Sequence, residues 1–428
     1  MKVGQSILAT VKQSLHRPLS EIAERWSPIL LVQWMLYALL KRLSGVWTRD
    51  DSLWVFGARD SEAFVDNAKY LYLHVANERT GVRPVWLSKN RRVVRELRAS
   101  GYEAYHCYSI RGLVVNLRAG VICLTQGHRD VTMACCAGAK TVLLWHGIPL
   151  KTISWDAEFS DESAPVKAVL EYMADEFDRL VVPGQNLIEI FESGLHLDAE
   201  RTTIVGYPRL DALFRPPRGS HIGTDETARK RVERLSRDHP VLFYLPTFRD
   251  GTDGSSADHL DFRALDEFLA EKDAFLVIKT HPREQFEPPP NLSRIVRLPE
   301  RCDVYPLLRH ADVLVTDYSS IYFDYLVLDR PAVFYPYDRT QYEETRGFYF
   351  DYDTITAGPV VTDFDELLDA LSRTLENDPF GTERRNIVNE LLTDVSHTGR
   401  QSAAVYDAIR RELIQGNANR PDDTVRTI

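Results

Sequence analysis

The feature that most constrains this chain is an alternation of short apolar runs with stretches of helical period. It begins near residue 50, lapses near 215 and begins again at 240. The runs 52–57 (SLWVFG), 120–125 (GVICLT) and 140–145 (KTVLLW) lack the in–out alternation of a half-exposed strand, so both faces must be covered. Runs 84–88, 178–182 and 202–205 continue the series, with helical patterns over 64–78 and 90–100. Residues 215–239 carry prolines, Gly219, Gly223 and many charges, and read as a connection with at most one surface helix. The alternation resumes with 240–246 (PVLFYLP), 274–280 (AFLVIKT), 311–316 (ADVLVT) and 331–335 (PAVFY). Helical patterns near 363–377, 383–393 and 400–415 close the chain. The expected fold class is α/β: two doubly wound, Rossmann-like parallel sheets facing a cleft, in domains 51–238 and 239–428.

Composition agrees with that reading, because 428 residues exceed one ordinary domain. The net charge of −10 argues against a nucleic-acid partner, which needs a basic face. Five cysteines without a CxxC pair indicate neither a disulfide framework nor a zinc finger, and read as small buried hydrophobes. The N-terminal segment departs from the acidic average: residues 1–49 hold seven basic and two acidic side chains. An apolar stretch over 29–40, closed by Lys41 and Arg42, is too short to span about 30 Å of hydrocarbon. Two readings stand for residues 1–50: a buried helix on the first domain or, favoured here, a helical monotopic anchor on an anionic membrane surface.

In open α/β sheets ligands bind beyond the carboxyl ends of the strands, and the unusual residues of this chain fall there. Strand 140–145 runs into His146-Gly147-Ile148-Pro149. Gly147 permits a close backbone approach, Pro149 suits the first turn of a helix, and His146 is placed as a general base. In the second half the strand ends carry Thr247-Phe248-Arg249, His281-Pro282-Arg283 and Asp317-Tyr318-Ser319-Ser320, the last opening a helical run over 321–328. Paired hydroxyls at such a point ordinarily cap the helix, but a helix start also attracts anions. With Arg249 as a bidentate contact and His281 as a charge-assisted one, the three strand ends suggest a diphosphate cradle.

Other motifs are thin. Neither GxxxxGK[ST] nor GxGxxG occurs, which disfavours a P-loop kinase and a dinucleotide fingerprint. Of two DxD triplets, 351–353 and 363–365, the second reads as a helix cap, and no metal or other cofactor is expected. Arg91, Arg92, Arg95 and Arg98 read first as a solvated helix face.

At these residues the sequence resembles the CDP-glycerol glycerophosphotransferases, the teichoic-acid primases and polymerases of GT-B architecture. The matching stretches are WVFGARDSEAFVDNAKYLY (54–72), LLWHGIPLKTI (143–153), VGYPRLDAL (205–213), LPTFRD (245–250), IKTHPRE (278–284) and VTDYSSIYFDYLVLDRPAVFY (315–335), with QYEETRGFYFDY (341–352) and GPVV (358–361). The resemblance implies transfer of glycerol phosphate from CDP-glycerol, or of ribitol phosphate from CDP-ribitol, to a lipid-linked saccharide or polyol-phosphate acceptor, releasing CMP. It places His146 and His281 at the family's two essential histidines. Gly147, Thr247, Arg249, Asp317, Ser319 and Ser320 fall at the donor's phosphates. It implies a peripheral enzyme at the cytoplasmic face of the cell membrane and leaves room for a homo-oligomer. The rivals are a nucleotide-sugar glycosyltransferase on the same plan and a silent scaffold subunit. Departures are ARDSEAF after WVFG, Phe248 where the family has Trp, and a loose match at Thr398-Gly399-Arg400.

Overall fold

A computed structural model of the chain describes residues 28–78, 80–249, 256–280, 288–299, 302–393 and 399–415. His281, Pro282, Arg283, Asp250, Thr398 and most of the N-terminal basic segment lie outside the described residues.

The alternation resolves into two parallel sheets. The first orders its strands β3-β2-β1-β4-β5-β6-β7. These are β1 (Asp50–Gly57), β2 (Arg83–Ser88), β3 (Ala104–His106), β4 (Ala119–Leu124), β5 (Lys140–Leu143), β6 (Arg179–Val182) and β7 (Thr202–Ile204). The second orders β10-β9-β8-β11-β12, from β8 (Val241–Tyr244), β9 (Phe275–Ile278), β10 (Ile295–Arg297), β11 (Val313–Thr316) and β12 (Ala332–Phe334). Every ladder is parallel. Each sheet therefore reverses its winding once, at β1/β4 and at β8/β11, and the crevices open at those points.

Burial follows from this plan. β4 and β8 are buried at every position, as strands covered on both faces must be. Trp54, Phe56, Tyr72 and Trp86 fill the first half, and Leu242, Leu276, Ile278 and Val333 pack on one face of the second sheet. The connection carries one helix, Glu226–Leu235, capped by Asp225 through the Ala228 amide at 2.7 Å.

Helix α1 (Pro28–Ser44) lies against the first half. Tyr37 donates to Glu176 at 3.1 Å, Lys41 pairs with the same carboxylate, and the Ser44 hydroxyl accepts from the Ala137 amide at 3.1 Å. Helix α2 (Asp66–Asn77) follows β1, α3 (Ile110–Arg118) precedes β4, and α4 (Ala164–Ala174) precedes β6. In the second half, β11 leads to the short α5 (Ile321–Tyr325). Helix α6 (Gln401–Ile409) leaves the second half and returns to the first. Asp211 accepts from the Gln401 and Ser402 amides at 2.7 and 3.0 Å, and the Tyr406 ring packs 5.3 Å from Trp54. Residues 401–409 are thus part of the first half's packing, a departure from a division at 239.

The halves are also pinned directly. Lys69 on α2 pairs with Asp303 at 2.6 Å with both side chains buried. The segment after His146 runs along 347–349: the Thr152 amide donates to the Gly347 carbonyl at 2.9 Å and the Tyr349 amide to the Leu150 carbonyl at 3.0 Å.

Candidate active site

β5 ends in a sharp turn. Trp145 takes a left-handed backbone (φ +54°) and Gly147 follows at φ +134°, so His146 projects from a reversal rather than from a continuing strand. No helix starts at Pro149; Ile148, Pro149 and Leu150 are buried and the chain goes on to meet the second half. The turn is held from below. The Asn67 carboxamide donates to the Leu144 and Trp145 carbonyls at 3.2 and 2.8 Å, and Arg209 Nη1 donates to the His146 carbonyl at 2.8 Å.

The His146 Nδ1 is buried and has no hydrogen-bond partner among the described residues. Burial pushes its imidazole down to about 4, against the opposing charge of Asp66 and with the Arg59 and Arg209 cations adding to the fall. The ring is therefore neutral at neutral pH and has a lone pair to accept a proton.

Gly147 brings the halves together. A Cβ there would lie 2.8 Å from Arg209 Nη2 and 2.9 Å from Ser320 Oγ, which leaves no room for one. Ser320 stands at the start of α5 yet makes no side-chain cap, so the capping role expected of it is absent and its hydroxyl faces the His146–Gly147 turn. Ser319 precedes it, half-buried, with its carbonyl accepting from the Tyr322 amide at 3.1 Å. Gly147→Ala is expected to destabilise the protein by about 1–3 kcal/mol and to lower turnover, because the methyl displaces Ser320 or Arg209. A thermal melt paired with a turnover assay checks this; an alanine variant with wild-type values in both would show that the turn yields freely.

The other second-half residues gather at the β8/β11 switch point. Asp317 Oδ1 accepts from the Thr247 and Tyr318 amides at 2.8 and 2.6 Å. Arg249 does not offer the open bidentate fork expected for a phosphate. Its Nε and Nη2 grip Asp338 at 2.6 and 2.9 Å, Nη2 also meets Asp317 at 2.8 Å, and Nη1 donates to the Thr247 carbonyl at 2.7 Å. Burial opposes that charge, but the two carboxylates hold its pKa far above the ordinary value. The guanidinium also lies 5.0 Å from the rings of Tyr318 and Tyr342, which stack 3.9 Å apart. The reason for the difference is local charge: Asp338, not singled out in the sequence, and Asp317 take up the guanidinium's fork. His281 lies outside the described residues.

Both DxD triplets are used locally. Asp351 caps the helix Tyr352–Ile355 and Asp353 pairs with Arg339 at 2.6 Å. Asp363 caps Phe364–Glu376, as its position suggests. Of the arginine cluster, Arg92 pairs with Glu96 at 2.7 Å on an exposed face and Arg98 donates to the Ala104 carbonyl at 2.7 Å.

The residues the sequence reading passed over are the buried charges beneath His146. Arg209 joins Asp66 at 2.6 Å in the first half to Asp324 at 2.6 Å in the second. A signal existed: Asp324 is the one charge within 321–328, an otherwise apolar and aromatic run. A charge so placed needs a partner.

Two parallel-sheet halves meeting at their strand ends, with a histidine turn of one set on a hydroxyl-bearing helix start of the other, define the GT-B-like class of two-domain α/β proteins. The chain belongs to the CDP-glycerol:poly(glycerophosphate) glycerophosphotransferase family, which matches residues 39–411. It is 31% identical over 242 residues to a Staphylococcus aureus teichoic acid glycerol-phosphate transferase, covering 54% of this chain and 60% of that one. It is 27% identical over 326 residues to a Staphylococcus epidermidis teichoic acid poly(glycerol phosphate) polymerase, covering 72% of this chain and 44% of the relative. The chain thus spans about half the length of these relatives. Its fold matches the wall teichoic acid polymerase TagF with a TM-score of 0.70 at 21% identity, covering 96% of this chain and 98% of that structure.

Proposed function

We propose that this protein transfers glycerol phosphate from CDP-glycerol to a hydroxyl of a lipid-linked saccharide or poly(glycerol phosphate) acceptor, releasing CMP. The observation that carries it is the neutral, half-buried His146 set across from the Ser319–Ser320 helix start; family membership supports the donor. The acceptor hydroxyl adds to the phosphorus bearing glycerol, its proton passes to His146, and the bond from that phosphorus to the oxygen of CMP breaks. Transfer of this kind is positioning plus electrostatics. Ser319, Ser320, Thr247 and His281 meet the diphosphate oxygens, and Gly147 lets the two sides close on them. Arg249 serves by fixing the Thr247–Asp317 loop, with one N–H left beyond its described partners. The test is CMP release from purified protein given CDP-glycerol, CDP-ribitol or a UDP-sugar with a lipid-linked saccharide acceptor in detergent. Acceptor-dependent CMP from CDP-glycerol is the expected result. CMP from CDP-ribitol alone changes the product, and UDP release sinks the phosphotransfer.

The proposed place of work is the cytoplasmic membrane surface, occupied peripherally. Among the described residues no helix is long and apolar enough to cross a membrane. While one side of α1 packs on the protein, Met35, Leu39 and Leu43 recur every four residues on the other, 58%, 54% and 54% exposed, followed by Val46 and Trp47. Among the described residues the other exposed large hydrophobics, Ile110 and Val114 on α3 and Tyr172 on α4, also belong to the first half. Each leucine buried in lipid contributes about 1.5–3 kcal/mol, so Leu39→Glu/Leu43→Glu is expected to weaken binding to anionic vesicles by at least about 10²-fold. Co-sedimentation measures this, and undiminished binding by the double variant would move the anchor elsewhere.

A further inference from the structure

His146 is held by a buried ionic bridge that spans the halves. Arg209 sits in the turn Pro208–Leu210 after β7, 2% exposed. Its backbone amide donates to Asn67 Oδ1 at 3.1 Å, and the Asn67 carboxamide in turn grips the end of β5. Its Nη1 reaches both Asp66 Oδ1 (2.6 Å) and the His146 carbonyl (2.8 Å). Its Nη2 pairs with Asp324 on α5, the helix that Ser320 opens, and lies against Gly147. Asp324 is fixed a second time by the Tyr305 hydroxyl at 2.5 Å. One planar guanidinium thus sets three things at once: the backbone of His146, the start of α2 and the helix that carries Ser320.

The arrangement is strained where it meets the site. Asp66 adopts φ +67° and Trp145 φ +54°, conformations that non-glycine residues hold only when their surroundings force them. Two carboxylates around one guanidinium, all three buried, is also a costly grouping to keep for stability alone. We infer that Arg209, with Asp66 and Asp324, is a positioning residue that sets the His146–Gly147 turn against the Ser319–Ser320 helix start for the transfer step. This deepens the proposed phosphotransfer and rests on it. The guanidinium's fixed fork is what the task requires, since a lysine offers a single point of charge and cannot hold three partners in one plane.

The test uses the full chain and two near-isosteric or charge-keeping variants, Asp324→Asn and Arg209→Lys, beside Arg209→Met. Displacement of a reacting group by about 1 Å is worth about 10²-fold in rate. Asp324→Asn and Arg209→Met are therefore expected to lower kcat about 10²-fold, with KM for CDP-glycerol within about threefold, and Arg209→Lys to recover part of the loss. A second readout needs no turnover: the His146 ring Cε1–H resonance, assigned by its absence from His146→Ala, should move in Asp324→Asn. Wild-type kcat in the folded variants, or kcat falling together with donor binding, would overturn the positioning role. If the wild type itself is silent with CDP-glycerol, the transfer reading fails on its own. The resonance then decides the bridge, and an unmoved His146 signal in Asp324→Asn overturns it.

Discussion

His146→Ala is expected to lower turnover by about 10²–10⁴-fold, the usual contribution of a positioned general base, while CDP-glycerol binding stays nearly intact. An acceptor alcohol is a poor nucleophile at neutral pH, so its proton must leave as it attacks. The group nearest to that need is the His146 imidazole, which burial keeps neutral in the turn after β5. The pH dependence follows with a definite sign. Because the folded-state pKa is lowered from the ordinary 6.5 to about 4, the base remains unprotonated as pH falls through 6.5, and kcat/KM is lost only toward pH 4. An acid limb at the ordinary histidine value would mean that the ring is solvated when it works. Loss of CDP-glycerol binding along with turnover in His146→Ala would place this histidine in the donor site and the base elsewhere. Calorimetry with the donor separates the two outcomes.

Much of the fold was legible because parallel sheets covered on both faces need apolar runs, and most of the strands among the described residues carry one. β3 (Ala104–His106) and β10 (Ile295–Arg297) went unread: each is a three-residue edge strand that ends in a polar side chain, His106 or Arg297, so too little of either is apolar to stand out as a run. The switch-point residues were legible for the same reason, since strand ends can be counted from the runs. What the strand ends touch was not. Arg249 reads as a free cation until Asp338, 89 residues away, is folded against it. Ser320 reads as a cap until the turn after β5 is seen to occupy its front. Lys69 and Arg209 carry no local mark of burial, because that burial arises from contacts between the halves. Left-handed backbone at Asp66 and Trp145 is likewise imposed by tertiary packing against the residues' own preference.

Lys69→Met is expected to destabilise the protein by about 3–5 kcal/mol, the usual cost of removing one partner from a buried ion pair. Lys69 is fully buried on α2, and its ammonium uses all three donors: Asp303 Oδ2 at 2.6 Å and the Ser220 and Ile222 carbonyls at 2.7 Å each. Burial pushes its pKa down, with Asp303 opposing. The methionine stem fills the same space, so packing is nearly kept and the loss is electrostatic. It leaves the Asp303 carboxylate buried with only the Tyr70 hydroxyl (2.7 Å) and the Tyr305 amide (3.2 Å) as partners. Two hydrogen bonds do not replace a cation in a site without water access. Lys69→Met/Asp303→Asn should then be more stable than Lys69→Met alone, because the amide removes the orphan charge and still accepts from Tyr70. A coupling of about 0.5–3 kcal/mol is expected for groups in one network. Urea midpoints of the wild type, both single variants and the double variant give that coupling directly. Strict additivity would mean that Lys69 and Asp303 are held apart by water, and that the bridge between α2 and the second half lies with Arg209 alone.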